Sequence, residues 1–157
     1  MPEIRVNGRS IPHADVVREA GVEPDGRPLA DRMREAAQRL AIRELLLDEA
    51  ARQGLAPAPA DLGEGRRETD EDALIRALID QEVTAPRADE AACRRYFENN
   101  RRRFPEQASF EDVHRHIAAW LEEASWRRGV AQYIALLAGA AKIKGLDLKG
   151  AGSPLVQ

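Results

Sequence analysis

The sequence predicts a mainly α-helical protein, a bundle of helices around one long C-terminal helix, with a small sheet joining the N- and C-terminal strands. Three observations carry this expectation. Ala, Leu, Arg and Glu, all good helix formers, dominate the 157 residues, whereas aromatic residues make up only 4%. A stretch from Pro105 to Ala141 repeats apolar residues every three or four positions. Short runs near each end of the chain have the turn chemistry and alternation of strands.

The long helix comes first, because the other elements need a surface to pack on. Ser109 is a candidate N-cap, and Glu111 and Asp112 would place carboxylates at the positive end of the helix dipole. Phe110, Val113, Ile117, Trp120, Leu121, Ala124, Ala131, Ile134, Ala135 and Ala138 then form the expected buried stripe. Glu111, Arg115, Glu122, Glu123, Arg127 and Arg128 fall mostly on the opposite side. Thirty residues of helix reach about 45 Å, longer than a small domain is wide, so other helices must cover the stripe.

The remaining elements follow along the chain. Glu3 to Ile11 reads as a hairpin turning at Asn7-Gly8, and Lys142 to Leu148 supplies the strand expected to pair with it. Pro12 to Ala20 is a short helix with proline at its first position, and Gly21 to Pro28 is a loop. Leu29 to Gln53 is a second long helix, with Leu29, Met33, Ala36, Ala37, Leu40, Leu47 and Ala51 on one face, widened by Ile42, Leu45 and Leu46. Gly54 ends it, and the Ala-Pro repeats and Gly63-Glu64-Gly65 read as a flexible connection. Thr69 caps a third helix carrying Leu74, Ile75, Leu78 and Ile79, which Thr84-Ala85-Pro86 breaks. Asp89 opens a fourth, with Ala92, Cys93, Tyr96 and Phe97. Pro105 forces a joint at Phe104. The chain is thus expected to form one domain over 1–148, in two parts (1–104 and 105–148), with a flexible tail at 149–157.

Composition narrows the function. With 27 acidic residues against 24 basic ones the net charge is −3, which argues against a general nucleic-acid binder. No run of eighteen apolar residues exists to span a membrane, and no secretory signal is visible, so a cytoplasmic location is expected. The single cysteine, Cys93, lies at helical spacing among apolar residues and reads as a small buried hydrophobe. His114 and His116 are two apart on a helix and do not share a face, so they cannot clamp one metal. Arg101-Arg102-Arg103 reads as a solvated hinge, and Asp70-Glu71-Asp72 as a helix-initiating acidic turn. No phosphate loop, catalytic triad or metal-spaced set is present. Neither a catalytic residue, a metal site nor a cofactor is therefore expected.

At Tyr96-Phe97-Glu98-Asn99-Asn100-Arg101-Arg102-Arg103-Phe104 the chain resembles the Tyr-Tyr/Phe-x-x-Asn-x-x-x-Phe segment that precedes the isomerase module in parvulin-type foldases of the SurA/PrsA kind. The stretches 43–50, 73–79 and 89–96 resemble the cytoplasmic, nitrogen-fixation-associated NifM-like branch of that family, and Ser153 to Gln157 resembles its C-terminal end. The resemblance covers nearly the whole chain, but the parvulin module itself is absent between Phe104 and Ser109, so no catalytic residue carries over. It implies a SurA N-domain-like chaperone body that binds unfolded or immature client proteins without a cofactor, nucleic acid or membrane. Tyr96, Phe97, Phe104, Phe110, Trp120 and Trp126 are the candidate client-binding residues, and each is equally suited to core packing. Two rivals stand beside this reading. One is a maturation factor with prolyl isomerase activity in a full-length parent; the other is a dimerisation module whose halves exchange at Phe104-Pro105.

Overall fold

A computed structural model describes residues 2–21 and 26–148. The expected tail at 149–157 and part of the 21–28 loop lie outside the described residues. The elements in order are β1 (Ile4–Val6), β2 (Arg9–Ile11), α1 (His13–Ala20), α2 (Leu29–Arg52), β3 (Asp61–Gly63), β4 (Arg66–Arg67), α3 (Asp70–Glu82), α4 (Glu90–Asn99), α5 (Phe110–Ala140) and β5 (Ile143–Lys144). The protein is mainly helical with small antiparallel sheets. Its contacts form two compact units, one built from the chain up to Glu82 and from Ala131 onward, the other from Val83 to Val130.

In the first unit, the ends of the chain meet as expected. β1 pairs antiparallel with β2 (Ile4 opposite Ile11) and, on its other edge, with β5 (Val6 opposite Ile143), giving the order β2-β1-β5. The hairpin turns because Asn7 (φ 51°) and Gly8 (φ 82°) both take the left-handed conformation that a two-residue turn needs. Asn7 also holds the far end of the chain. Its N–H donates to the Lys142 carbonyl at 2.8 Å, and its Oδ1 accepts from the Lys142 N–H at 2.9 Å. Ile4, Val6, Ile11 and Val16 are buried against Ala36, Ala37, Ala41 and Leu45 of α2, with Ile143, Leu146 and Leu148 packed beside them. The three alanines of α2 present little bulk beneath the sheet and α1.

Further along α2, Ile42, Leu46 and Ala50 are buried, as are Ala73, Ile75, Leu78 and Ile79 of α3, which packs on α2. Thr69 caps α3 by accepting the Asp72 N–H at 3.1 Å. Glu71 and Asp72 in its first turn also pair with Arg43, at 3.1 and 2.8 Å.

Several expectations about faces and boundaries are corrected. Leu29 (61% exposed) and Ala51 lie outside the buried side of α2, because α1 and α3 cover the side carrying Ala37, Ala41, Ile42 and Leu46. Pro12 is the N-cap of α1 rather than its first helical residue. With ψ at 141° it is still extended, and its carbonyl accepts from Asp15 and Val16. The connection after Gly54 contains a second hairpin, β3–β4, turning at Glu64 (φ 51°) and Gly65. Glu68 braces it, accepting the Ala60 N–H at 3.0 Å while paired with Arg76 at 2.9 Å. On α5, Ile117, Val130 and Ile134 are buried, but Ala131, Ala135 and Trp120 are exposed.

The C-terminal turn of α2 supplies an acid-sensitive contact. Glu49 accepts hydrogen bonds from Arg52 and from Gln53 (2.9 Å), and Gln53 also reaches Glu82 of α3 at 3.0 Å. The Arg52 bonds, then that from Gln53, hold the Glu49 carboxyl at about 2 against an ordinary 4.5. A carboxyl depressed in the folded state stabilises the fold above its unfolded pKa, and that stabilisation is lost as pH falls from about 4.5 towards 2. In Glu49→Gln the urea midpoint is therefore expected to fall less steeply with pH over this window than in the wild type. Parallel acid limbs for the two proteins would refute the assignment.

Candidate functional site

The six aromatic candidates all lie in the second unit, on α4, the turn after it, and α5. Asp89 starts α4 by accepting the Ala92 N–H at 2.7 Å. Cys93, Tyr96 and Phe97 then fall at i, i+3 and i+4, on one face of the helix. Asn100 ends α4 by donating both its backbone N–H (3.0 Å) and its Nδ2 (2.9 Å) to the Tyr96 carbonyl. A 3-10 turn over Arg101–Arg103 leads to Phe104, which is extended (φ −116°, ψ 152°) as a residue before proline must be. Ser109 and Asp112 then cap α5 reciprocally. The Ser109 N–H donates to Asp112 at 2.9 Å, and the Asp112 N–H to Ser109 Oγ at 3.3 Å.

This turn folds the motif back on itself and brings five of the six rings together. Tyr96 meets Phe104 edge-on with centroids 6.3 Å apart, and meets Trp120 at 5.0 Å. Phe97 lies 5.2 Å from Phe104 and 5.9 Å from Phe110. Each such pair contributes about 0.5–1.5 kcal/mol beyond the area it buries. Phe110 is buried with Cys93 and Ile117, whereas Trp120 is 48% exposed. Trp126 is half-buried and joins no ring pair among the described residues. The cluster is thus core at Phe110 and surface at Trp120, with Tyr96, Phe97 and Phe104 half-buried between them.

Arginines complete the arrangement, and the solvated hinge expected at Arg101-Arg102-Arg103 is corrected in part. Arg101 lays its guanidinium 4.3 Å over the Phe97 ring and donates to the carbonyls of Ala108 (2.9 Å) and Glu106 (3.0 Å), clipping the turn shut. Arg94 sits 4.3 Å over Phe110, and the His114 ring stacks on Phe110 at 4.7 Å. Glu122 of α5, expected on the polar side, reaches back to accept the Ala88 N–H at 3.0 Å. The one signal in the sequence for these contacts is the i, i+4 spacing of Phe97 with Arg101 and of Phe110 with His114.

Cys93 is fully buried, and burial, then the Asp89, Glu122 and Glu90 carboxylates, push its thiol up. A raised thiol holds little thiolate at pH 8 and offers no surface to a reagent. A disulfide reagent is expected to label Cys93 at least about a hundredfold more slowly in the native protein than in urea. Equal rates would make it an accessible thiol.

The site as a whole is a packed aromatic wedge with one exposed indole, suited to binding an apolar group by contact. No helix among the described residues is long and apolar enough to cross a membrane. Compared with known proteins, the chain matches no family model, no curated protein and no solved structure.

Proposed function

We propose that this chain is the chaperone body of a parvulin-type foldase, with a SurA N-domain-like arrangement, binding non-native client segments on the aromatic surface of residues 83–130. The observation that carries the reading is the half-exposed Trp120 packed against Tyr96, which also meets Phe104 edge-on. Rigid aromatic groups give large contact area at little cost in side-chain freedom. The resemblance of the Tyr96–Phe104 segment to the foldase family gives the surface its task. Added at a ratio of one to a few per client, the protein is expected to lower the light scattering of a heat-denatured model client. Trp fluorescence should shift as unfolded client is titrated in. Unchanged aggregation together with unchanged fluorescence would overturn the reading.

A dimerisation module is the second reading, favoured by one feature of α5. Gly129 to Ala141 carries no charged residue, and Leu136 within it is 68% exposed. A dimer by light scattering that Leu136→Lys converts to monomer would support it.

A further inference from the structure

Residues 83–130 carry nine arginines, no lysine and eight carboxylates. Most arginines elsewhere among the described residues have a carboxylate partner, Arg66 and Arg67 being exceptions. Arg5, Arg9, Arg18, Arg39, Arg43 and Arg76 each meet a carboxylate. In 83–130 only Arg94 and Arg127 do so among the described residues. Of the three consecutive arginines, Arg101 is used internally, spent on two carbonyls and the Phe97 ring. Arg103 is different. It is exposed like its two neighbours, but its guanidinium makes a single hydrogen bond, from Nη1 to the Tyr96 hydroxyl at 3.3 Å. The same Tyr96 ring stands 5.0 Å from Trp120. An exposed indole, a phenol and a guanidinium with no carboxylate partner therefore share one surface, and the adjacent Arg102 is exposed and equally without one.

A guanidinium fork matches a carboxylate in two parallel hydrogen bonds, and the indole face takes an apolar side chain. We infer that the Trp120–Tyr96–Arg103 surface selects extended peptide segments in which a large apolar residue stands next to a carboxylate. This rests on the client-binding reading and specifies the chemistry of the client. A polynucleotide fits less well. The exposed carboxylates Glu98 and Glu106 flank the arginines in sequence, and residues 83–130 as a whole are close to neutral, whereas phosphate backbones are held by a continuous cationic track.

The test uses the full chain and three labelled peptides that share a Leu/Phe centre and differ only in flanking Glu, Gln or Lys, read by fluorescence anisotropy. At low salt the Glu-flanked peptide is expected to bind about tenfold tighter than the Lys-flanked one, and the gap should shrink as salt rises. Arg103→Gln should weaken the Glu-flanked peptide several-fold and leave the Gln-flanked peptide unchanged, with far-UV circular dichroism confirming the fold. Equal affinity for all three peptides would overturn the selectivity and leave the client-binding reading standing. Failure of all three to bind would overturn both. A single-stranded oligonucleotide that binds more tightly than the Glu-flanked peptide, and displaces it, would make the surface a polyanion site and also refute the inference.

Discussion

Gly145→Ala is expected to destabilise the protein by about 2–4 kcal/mol, lowering the midpoint of a far-UV thermal melt by roughly 5–15 °C. Two independent costs add at this position. Gly145 has φ at +80°, a backbone conformation that residues with a Cβ adopt at a cost of about 1 kcal/mol. A Cβ there would also stand 2.3 Å from the Glu3 carbonyl oxygen and 3.1 Å from its carbon. The obstacle is backbone, and it cannot step aside. Val6 opposite Ile143 and Arg5 opposite Lys144 fix the strand, and Asn7 and Lys142 grip each other through two hydrogen bonds. Relief must come from pulling β5 off β1, which strips Ile143, Leu146 and Leu148 from the cluster around Ile4 and Val6. Gly139→Ala is the control. That glycine is helical with open space where a Cβ would go, so alanine should be neutral or stabilising by up to about 1 kcal/mol. If both variants melted like the wild type, the closure of the two termini would not contribute to stability.

What the sequence made legible was local chemistry. Thr69 and Ser109 cap the helices they were expected to cap, and Asp89 caps the helix it was expected to open, because a cap is decided by one side chain and an N–H three residues on. Asn7-Gly8 announced its turn for the same reason. The meeting of the two ends was readable because a lone hairpin is marginal and the C-terminal segment offered strand residues with no local partner. What was not legible depended on neighbours. Leu29 and Ala51 fit the helical period as well as Ala41 does, and only the positions of α1 and α3 decide which are covered. The β3–β4 hairpin hid because strands of two and three residues are too short to show alternation. At the candidate site the rings themselves were identified, but their grading from core at Phe110 to surface at Trp120 was not. Nor was the division of labour between Arg101 and Arg103. Both stay exposed, yet Arg101 lies over Phe97 and bonds two carbonyls while Arg103 reaches only the Tyr96 hydroxyl, and three identical letters in a row cannot show which does which.

That grading makes Phe110→Ala the informative substitution in the second unit. Phe110 is 7% exposed and touches several kinds of partner at once: the Phe97 ring at 5.9 Å, the His114 ring at 4.7 Å, and the Arg94 guanidinium at 4.3 Å. Truncation to alanine removes the buried ring and leaves a cavity beside Cys93 and Ile117, for an expected loss of about 3–5 kcal/mol. The readout can be local, because both tryptophans, Trp120 and Trp126, belong to residues 83–130. The fluorescence-detected urea midpoint should therefore fall sharply, and the native thiol of Cys93 should become open to labelling. Trp120→Ala is the necessary contrast. Trp120 is half in water, so its removal should cost less than about 1.5 kcal/mol while weakening client binding. The two substitutions separate packing from recognition: a large stability loss in Phe110→Ala, and lost binding with the fold intact in Trp120→Ala. If Trp120→Ala instead cost as much stability as Phe110→Ala and left peptide affinity unchanged, the whole aromatic cluster would be core.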